Sequence, residues 1–292
     1  HALREVFGEL GFTRLIDQLD TMGVSGESGD VDVAKVADAS GLSAAANFEY
    51  HCIDTPKALA GLAAELSGVT TLAVDTETTD VRPVWATLVG ISLAWKPGHA
   101  VYIPLRGPLG ATVLPLEEVQ AALGPILAHP DIRKIGHNFK YDRIVLTRAG
   151  FEIAGAVFDT MIAAHVLDSS RMTYKLDALA AELLNHQCIP IENIIGRGKN
   201  QMTMDMVPVD VVSTYAAEDA DVTLRLAEVL EPQLTQADLT ALFEQLEMPL
   251  LPVLAQMESD GISLAIDRLK SMEIDFSKRA DELREEILEL AG

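Results

Sequence analysis

Thr71-Leu72-Ala73-Val74-Asp75-Thr76-Glu77-Thr78-Thr79 joins an apolar, β-branched run to two carboxylates separated by one residue. On a strand alternate side chains point to the same face, so Asp75 and Glu77 project together. Two acids side by side at a strand end repel each other unless a cation or a proton sits between them. For hard oxygen ligands the usual cation is a divalent metal. A site built on this pair needs further groups from elsewhere in the chain.

Strand signals continue downstream. Leu88–Trp95 and Ala100–Leu105 flank the turn Lys96-Pro97-Gly98-His99, which predicts a three-stranded antiparallel meander with the acidic pair on its first strand, Thr70–Val74. Upstream, Thr55-Pro56 reads as a helix cap, with Leu59, Leu62, Ala63 and Leu66 at helical spacing. Helices are predicted over Leu116–Leu127, Phe139–Ala149, Asp159–Leu167 and Leu176–Leu184, with a short extended Arg133–Gly136 among them. A long helix is predicted over Val209–Leu230, Pro208 lying near its start and Pro232 just beyond its end. The pattern is that of an α/β layer structure with a mixed sheet.

The ends differ in kind. Residues 3–20 read as a short amphipathic helix and turn, and residues 21–47, rich in Gly, Ser, Asp and Ala, as a linker. Leu239–Met257 reads helical, with Pro249 and Pro252 kinking or interrupting it. After Asp260-Gly261 a last helix spaces Leu269, Met272, Phe276, Ala280, Leu283, Ile287 and Leu290 three or four residues apart, a packing stripe with no evident partner in the chain.

The 292 residues are 49% hydrophobic and 23% charged, which describes a globular chain and excludes a disordered one. No run of about 18 apolar residues and no basic-then-apolar leader is present, so the expectation is a soluble cytoplasmic protein without a membrane partner. Cys52 and Cys188 have no metal-ligand spacing and suit a reducing compartment. A formal charge of −22 argues against nucleic acid. The distribution of that charge weakens the exclusion: residues 70–230 carry 13 basic and 19 acidic groups and are nearest to balance. Basic residues cluster there as Arg133, Lys134, Lys140, Arg143 and Arg148, then Arg197 and Lys199, which in isolation reads as a solvated face.

Two further segments carry acids at meaningful spacing. In Gly136-His137-Asn138-Phe139-Lys140-Tyr141-Asp142, Asn138 and Asp142 share a helix face. In Tyr215-Ala216-Ala217-Glu218-Asp219-Ala220-Asp221, Tyr215 and Asp219 do the same within the long helix. Glu218 and Asp221 are expected on exposed faces, and Asp80 and Asp159 as turn and helix-cap residues. His99, His129, His165 and His186 receive no functional reading.

The three acidic segments resemble the three motifs of the proofreading 3′–5′ exonucleases of the DEDD superfamily, in the variant with a tyrosine in the third motif. Gly196-Arg197-Gly198-Lys199-Asn200-Gln201, Tyr215 to Leu226, and Glu247-Met248-Pro249-Leu250 to Gly261-Ile262 also resemble the bacterial DNA polymerase I family, covering residues from about 50 to 292. Leu3–Leu15 is similar to the segment that enters that family's large fragment.

The resemblance implies a ribonuclease-H-like mixed sheet flanked by helices, then a helical segment leading to a polymerase thumb. It divides the chain into residues 1–48 (helix and linker), 49–232 (exonuclease) and 233–292 (the helical start of a polymerase domain). It implies two divalent ions, Mg²⁺ with Mn²⁺ as substitute, on Asp75, Glu77, Asp142 and Asp219, with Tyr215 aiming a water. Thr76, His137, Asn138, Tyr141, Arg197, Lys199 and Gln201 become candidates for holding a single-stranded DNA 3′ end, and Leu88 or a neighbour for wedging the terminal base. The implied function is proofreading hydrolysis at DNA 3′ ends by a nucleoid-associated bacterial polymerase, whose remaining chain is a partner and whose nucleotide-adding site is not expected here. The alternatives are a freestanding ribonuclease D-like exonuclease acting on RNA and a catalytically silent nucleic-acid-binding domain.

Overall fold

The computed structural model describes residues 48–155, 157–198 and 201–292. The helix and linker expected within 1–47, and Lys199, lie outside the described residues.

Strand β1 (Glu49–Cys52) precedes helix α1 (Pro56–Leu66). Thr55 caps α1, its side chain accepting from the Ala58 N–H at 3.3 Å, and Pro56 fills the first turn, where its missing N–H costs nothing. The predicted meander follows as β2 (Thr71–Thr78), β3 (Leu88–Lys96) and β4 (His99–Pro104), all antiparallel. Next come α2 (Leu116–Leu127), β5 (Arg133–Gly136), α3 (Phe139–Arg148), β6 (Val157–Asp159) and α4 (Thr160–Leu167). The six strands lie in the order β1-β4-β3-β2-β5-β6, with β1, β5 and β6 each parallel to the neighbour through which they join the sheet. Strands β1 and β6 escape the sequence pattern because four and three residues are too few to show a period.

Helix α5 (Leu176–Leu179) runs into a π-helical turn (Ala180–Leu184), followed by α6 (Ile191–Ile195) and the long α7 (Val209–Gln236). The expected stop before Pro232 is not observed, since α7 continues through it for a further turn. A proline there forfeits one backbone hydrogen bond. Leu230 and Leu234, both buried in the same core cluster, hold the turn in place. Helix α8 (Thr240–Leu242) passes through a second π-helical turn (Phe243–Glu247) into α9 (Met248–Asp260), and α10 (Ile266–Ala291) ends the chain. The interruption expected from the prolines thus falls just ahead of Pro249, while Pro252 lies inside α9.

Side-chain alternation on β2 separates two cores. Leu72 and Val74 face α1, α2 and α3, where Leu62, Leu123, Phe139 and Leu146 are buried. Ala73 faces the other way, with Ala94 and Ala100 of the neighbouring strands, onto Ala217 and Ala220 of α7. All five alanines are fully buried, and side chains this small let helix and sheet approach closely. Helix α9 packs on α3, with Leu251 entering the first core and Glu258 paired with Lys140. The apolar stripe of α10 is exposed, including Leu269, Phe276 and Ile287. Among the described residues no helix is long and apolar enough to cross a membrane.

Candidate active site

Alternation sends Asp75 and Glu77 to the face of β2 that α7 covers, and the alanine contact brings α7 down onto them. One carboxylate oxygen from each of Asp75, Glu77 and Asp219 lies within 4.8 Å of the other two. Asp142 arrives from α3, in the opposite layer. Its carboxylate is held by Thr76, whose Oγ1 donates to Asp142 Oδ1 at 2.6 Å. Thr76 points away from Asp75 and Glu77, so one strand presents two acids to α7 and a positioning hydroxyl to α3.

The electrostatics are severe. Burial pushes the Asp75 carboxyl up to about 6, against hydrogen bonds from Ser92 and the Thr76 backbone that favour its charge. Burial first, then the charges of Asp75, Asp219 and Asp142, raises Glu77 well above the carboxylate range. Asp142 and Asp219 are raised by burial and by Asp75. Among the described residues, no lysine or arginine is among the main charges acting on these four groups. An all-oxygen donor set with unrelieved mutual repulsion fits hard divalent cations. Tyr215 lies one turn before Asp219, and its side chain neighbours that carboxylate. Burial and then the Asp219 charge raise its phenol, which stays protonated at neutral pH.

A supporting tier was missed in the sequence. Ser92 lies opposite Asp75 in the β2–β3 ladder and its hydroxyl reaches Asp75 Oδ2 at 3.2 Å. Its signal was a lone hydroxyl in an apolar strand. Asp159 is the expected cap, and it caps two helices. Its carboxylate accepts from the N–H groups of Met161 and Ile162 in α4, and from Asn138 and Phe139 (2.7 Å) at the start of α3. It therefore fixes the helix that carries Asp142.

Glu218 and Asp221 are corrected: only 2% and 0% exposed, they face inward. Glu218 takes His186 Nε2 at 3.0 Å and the Ile189 N–H at 2.7 Å, pinning the 185–190 segment to α7. Asp221 takes the Tyr50 hydroxyl at 3.0 Å and the Gly98 N–H at 2.6 Å. Both lie on the broad face that a helix crossing five strands must bury, which a local charge count does not reveal.

The basic cluster is not a simple solvated face either. Lys134 is fully buried, donating to the carbonyls of His129 and Ala154 at 2.6 Å each. Arg133 pairs with Glu231 at 2.7 Å.

Two grooves border the carboxylates. One, of about 670 Å³, is lined by Glu77, Thr78, Val81, Tyr141, Gln201 and Met202, among others. The other, of about 380 Å³, is lined by Tyr215, Asp219, Lys175, Gln187 and Cys188, and Ile191 borders both. Tyr141 hydrogen-bonds Thr78 and the Asp80 carbonyl, shaping the first groove. Arg197 and Asn138 are exposed, Asn138 with a left-handed φ of 59°. His137 lines neither groove. It bonds Thr160 Oγ1 at 2.8 Å, and burial pushes it down to about 4, leaving it neutral. Leu88 is buried in the first core, whereas Val81, 90% exposed, is among the apolar residues that line the first groove.

Comparison with known proteins agrees with the fold. A family model described as 3′–5′ exonuclease matches residues 50–235, and the chain belongs to this family of phosphodiester-hydrolysing nucleases. DNA polymerase I of Rhizobium leguminosarum is 38% identical over 240 residues, covering 76% of this chain and 24% of that protein. DNA polymerase I of Chloroflexus aurantiacus is 41% identical over 236 residues, covering 80% of this chain and 25% of that protein. The chain thus spans about a quarter of the length of these relatives. Among solved structures, the POL domain of Pol1 from M. smegmatis in complex with DNA primer-template and dNTP superposes with a TM-score of 0.63. At 23% identity over 80% of this chain and 36% of that one, it shows a shared fold.

Proposed function

We propose that this chain is the editing part of a DNA polymerase I, hydrolysing the terminal phosphodiester at single-stranded DNA 3′ ends. The observation that carries the reading is the convergence of Asp75, Glu77, Asp142 and Asp219 from three elements, raised by burial and by one another's charge and beside the Tyr215 phenol. These four would hold two divalent ions, Mg²⁺ or Mn²⁺, which when bound neutralise the phosphate's charge and acidify water.

The chain's own residues supply orientation. Tyr215, kept a neutral phenol, offers its hydroxyl to a water at the scissile phosphate. Asp142, fixed by Thr76, and Asp75, fixed by Ser92, keep their oxygens aimed inward. In the reaction a water oxygen bonds to phosphorus, the P–O3′ bond breaks, and the 3′ oxygen leaves with a proton, releasing a nucleoside 5′-phosphate. Val81, Tyr141 and Gln201 line the groove that would receive the terminal nucleotide through stacking and phosphate contacts, without base-edge readout. Arg197 and Lys199 would contact phosphate, and Asn138 a nucleotide beyond. His137 acts as scaffold.

The segment 49–232 carries the nuclease, and 233–292 is the helical start of a polymerase domain whose further chain would cover the α10 stripe. No nucleotide addition is assigned to these 292 residues. The test is a 5′-labelled single-stranded DNA oligonucleotide with Mg²⁺, beside an RNA of the same sequence. Shortening of DNA from its 3′ end, lost in Asp219→Ala, is expected. No shortening, or equal shortening by the variant, overturns the reading, and faster shortening of RNA overturns the DNA assignment.

A further inference from the structure

We propose that Glu49, His51 and His99 form a binding site for one divalent transition-metal ion, Zn²⁺ foremost, that clips edge strand β1 to β4. Parallel pairing sets Glu49 beside His99, and His51 follows Glu49 on the same face of β1. One ligand atom from each of the three lies within 4.8 Å of the other two.

The finer geometry suits a shared ion. His99 Nδ1 and Glu49 Oε2 are 3.4 Å apart. Two ligands at ~2.0–2.1 Å on one tetrahedral zinc are separated by about 3.3 Å. The two imidazole centroids are 5.8 Å apart at 66°. Two imidazoles sharing a tetrahedral ion would sit about 5 Å apart, within a small rotamer adjustment of this. Two nitrogens and one carboxylate oxygen form a zinc set, unlike the all-oxygen cage of the nuclease site. His99 is already oriented, because Trp95 meets its ring edge-on at 4.9 Å and the indole N–H is anchored on Glu65. All three residues reach solvent, which leaves entry free and a fourth position for water.

The clip has something to secure. Strand β1 is four residues long and at the sheet edge, so its pairing alone is weak. The residues between and beside the ligands, Tyr50 and Gly98, donate to Asp221 on α7, two positions from Asp219. An ion at the edge would brace this anchorage of the nuclease helix.

The test is calorimetric titration of Zn²⁺ into the full chain in millimolar Mg²⁺, which occupies the carboxylate cage. One site is expected to weaken at least about tenfold in His51→Asn and in His99→Asn, and less in Glu49→Gln. Zn²⁺ should also raise the thermal midpoint of the parent chain and leave that of the double histidine variant unmoved. These side chains are exposed or partly so, and unchanged circular dichroism and nuclease activity in Mg²⁺ would show that the variants fold. Identical zinc isotherms for parent and double variant would overturn the proposal while leaving the nuclease reading standing.

Discussion

The contact between Thr76 and Asp142 permits a sharp test of how the site is held together. Thr76 is 8% exposed, and its hydroxyl makes a 2.6 Å hydrogen bond to Asp142 across 66 residues of sequence, joining the β2 strand to the opposite layer. Thr76→Val keeps the branched shape and removes only the donor. Hydrogen bonds to charged groups contribute about 1.5–3 kcal/mol. If that energy positions Asp142 chiefly when the site is working, single-turnover cleavage of a DNA 3′ end should slow by about 10- to 100-fold. Affinity for the oligonucleotide, measured by anisotropy in Ca²⁺, should change little, because Thr76 lines neither groove. The Mg²⁺ concentration for half-maximal rate should rise, since a freed carboxylate must be ordered on binding. Thr76→Ser, which restores the hydroxyl, should recover the rate to within a few-fold. A Val variant as fast as the parent, or Ser and Val variants equally slow, would refute the positioning role.

Three other outcomes follow from buried contacts. Glu218→Ala leaves His186 Nε2 and the Ile189 N–H without their acceptor, and should cost about 2–4 kcal/mol in chemical denaturation. A loss under about 1 kcal/mol would show that water replaces the carboxylate. Gly136→Ala sets a Cβ into the buried ring of Phe139 at the start of α3. It should destabilise by about 1–3 kcal/mol and slow cleavage by displacing Asp142. Burial pushes the Lys134 ammonium down to about 8. A lysine in the unfolded chain titrates near ~10.4, so between the two values the unfolded state binds more protons and stability rises with pH. The stability of the parent relative to Lys134→Met should therefore grow from pH 8 to pH 10. A flat difference would show that Lys134 keeps its charge in the core over this range and would count against the lowered pKa.

Much of this protein is legible locally. The meander, the helix caps at Thr55 and Asp159, and the acids at Asp75, Glu77, Asp142 and Asp219 are signals within a few residues of one another, because strand alternation and helical spacing repeat over short distances. The motifs identify the acids as a set, but nothing in their spacing says that Asp142 approaches from the opposite layer to Asp219. That is a property of the folded layers, as is the close alanine contact that lowers α7 onto β2. Glu218, Asp221 and Lys134 read as surface charges and are buried, because a charge's environment is set by residues far away in the chain. His186, Ile189, Tyr50 and Gly98 become their partners only through folding. Strands β1 and β6 pair by the same logic, being too short for a period and long enough for a ladder. The sequence alone determined which side chains are candidates for the chemistry, since side-chain type and local period are written residue by residue. Only the tertiary structure decided which of them are held, by what, and how strongly they repel, since burial and distance are properties of layers brought together.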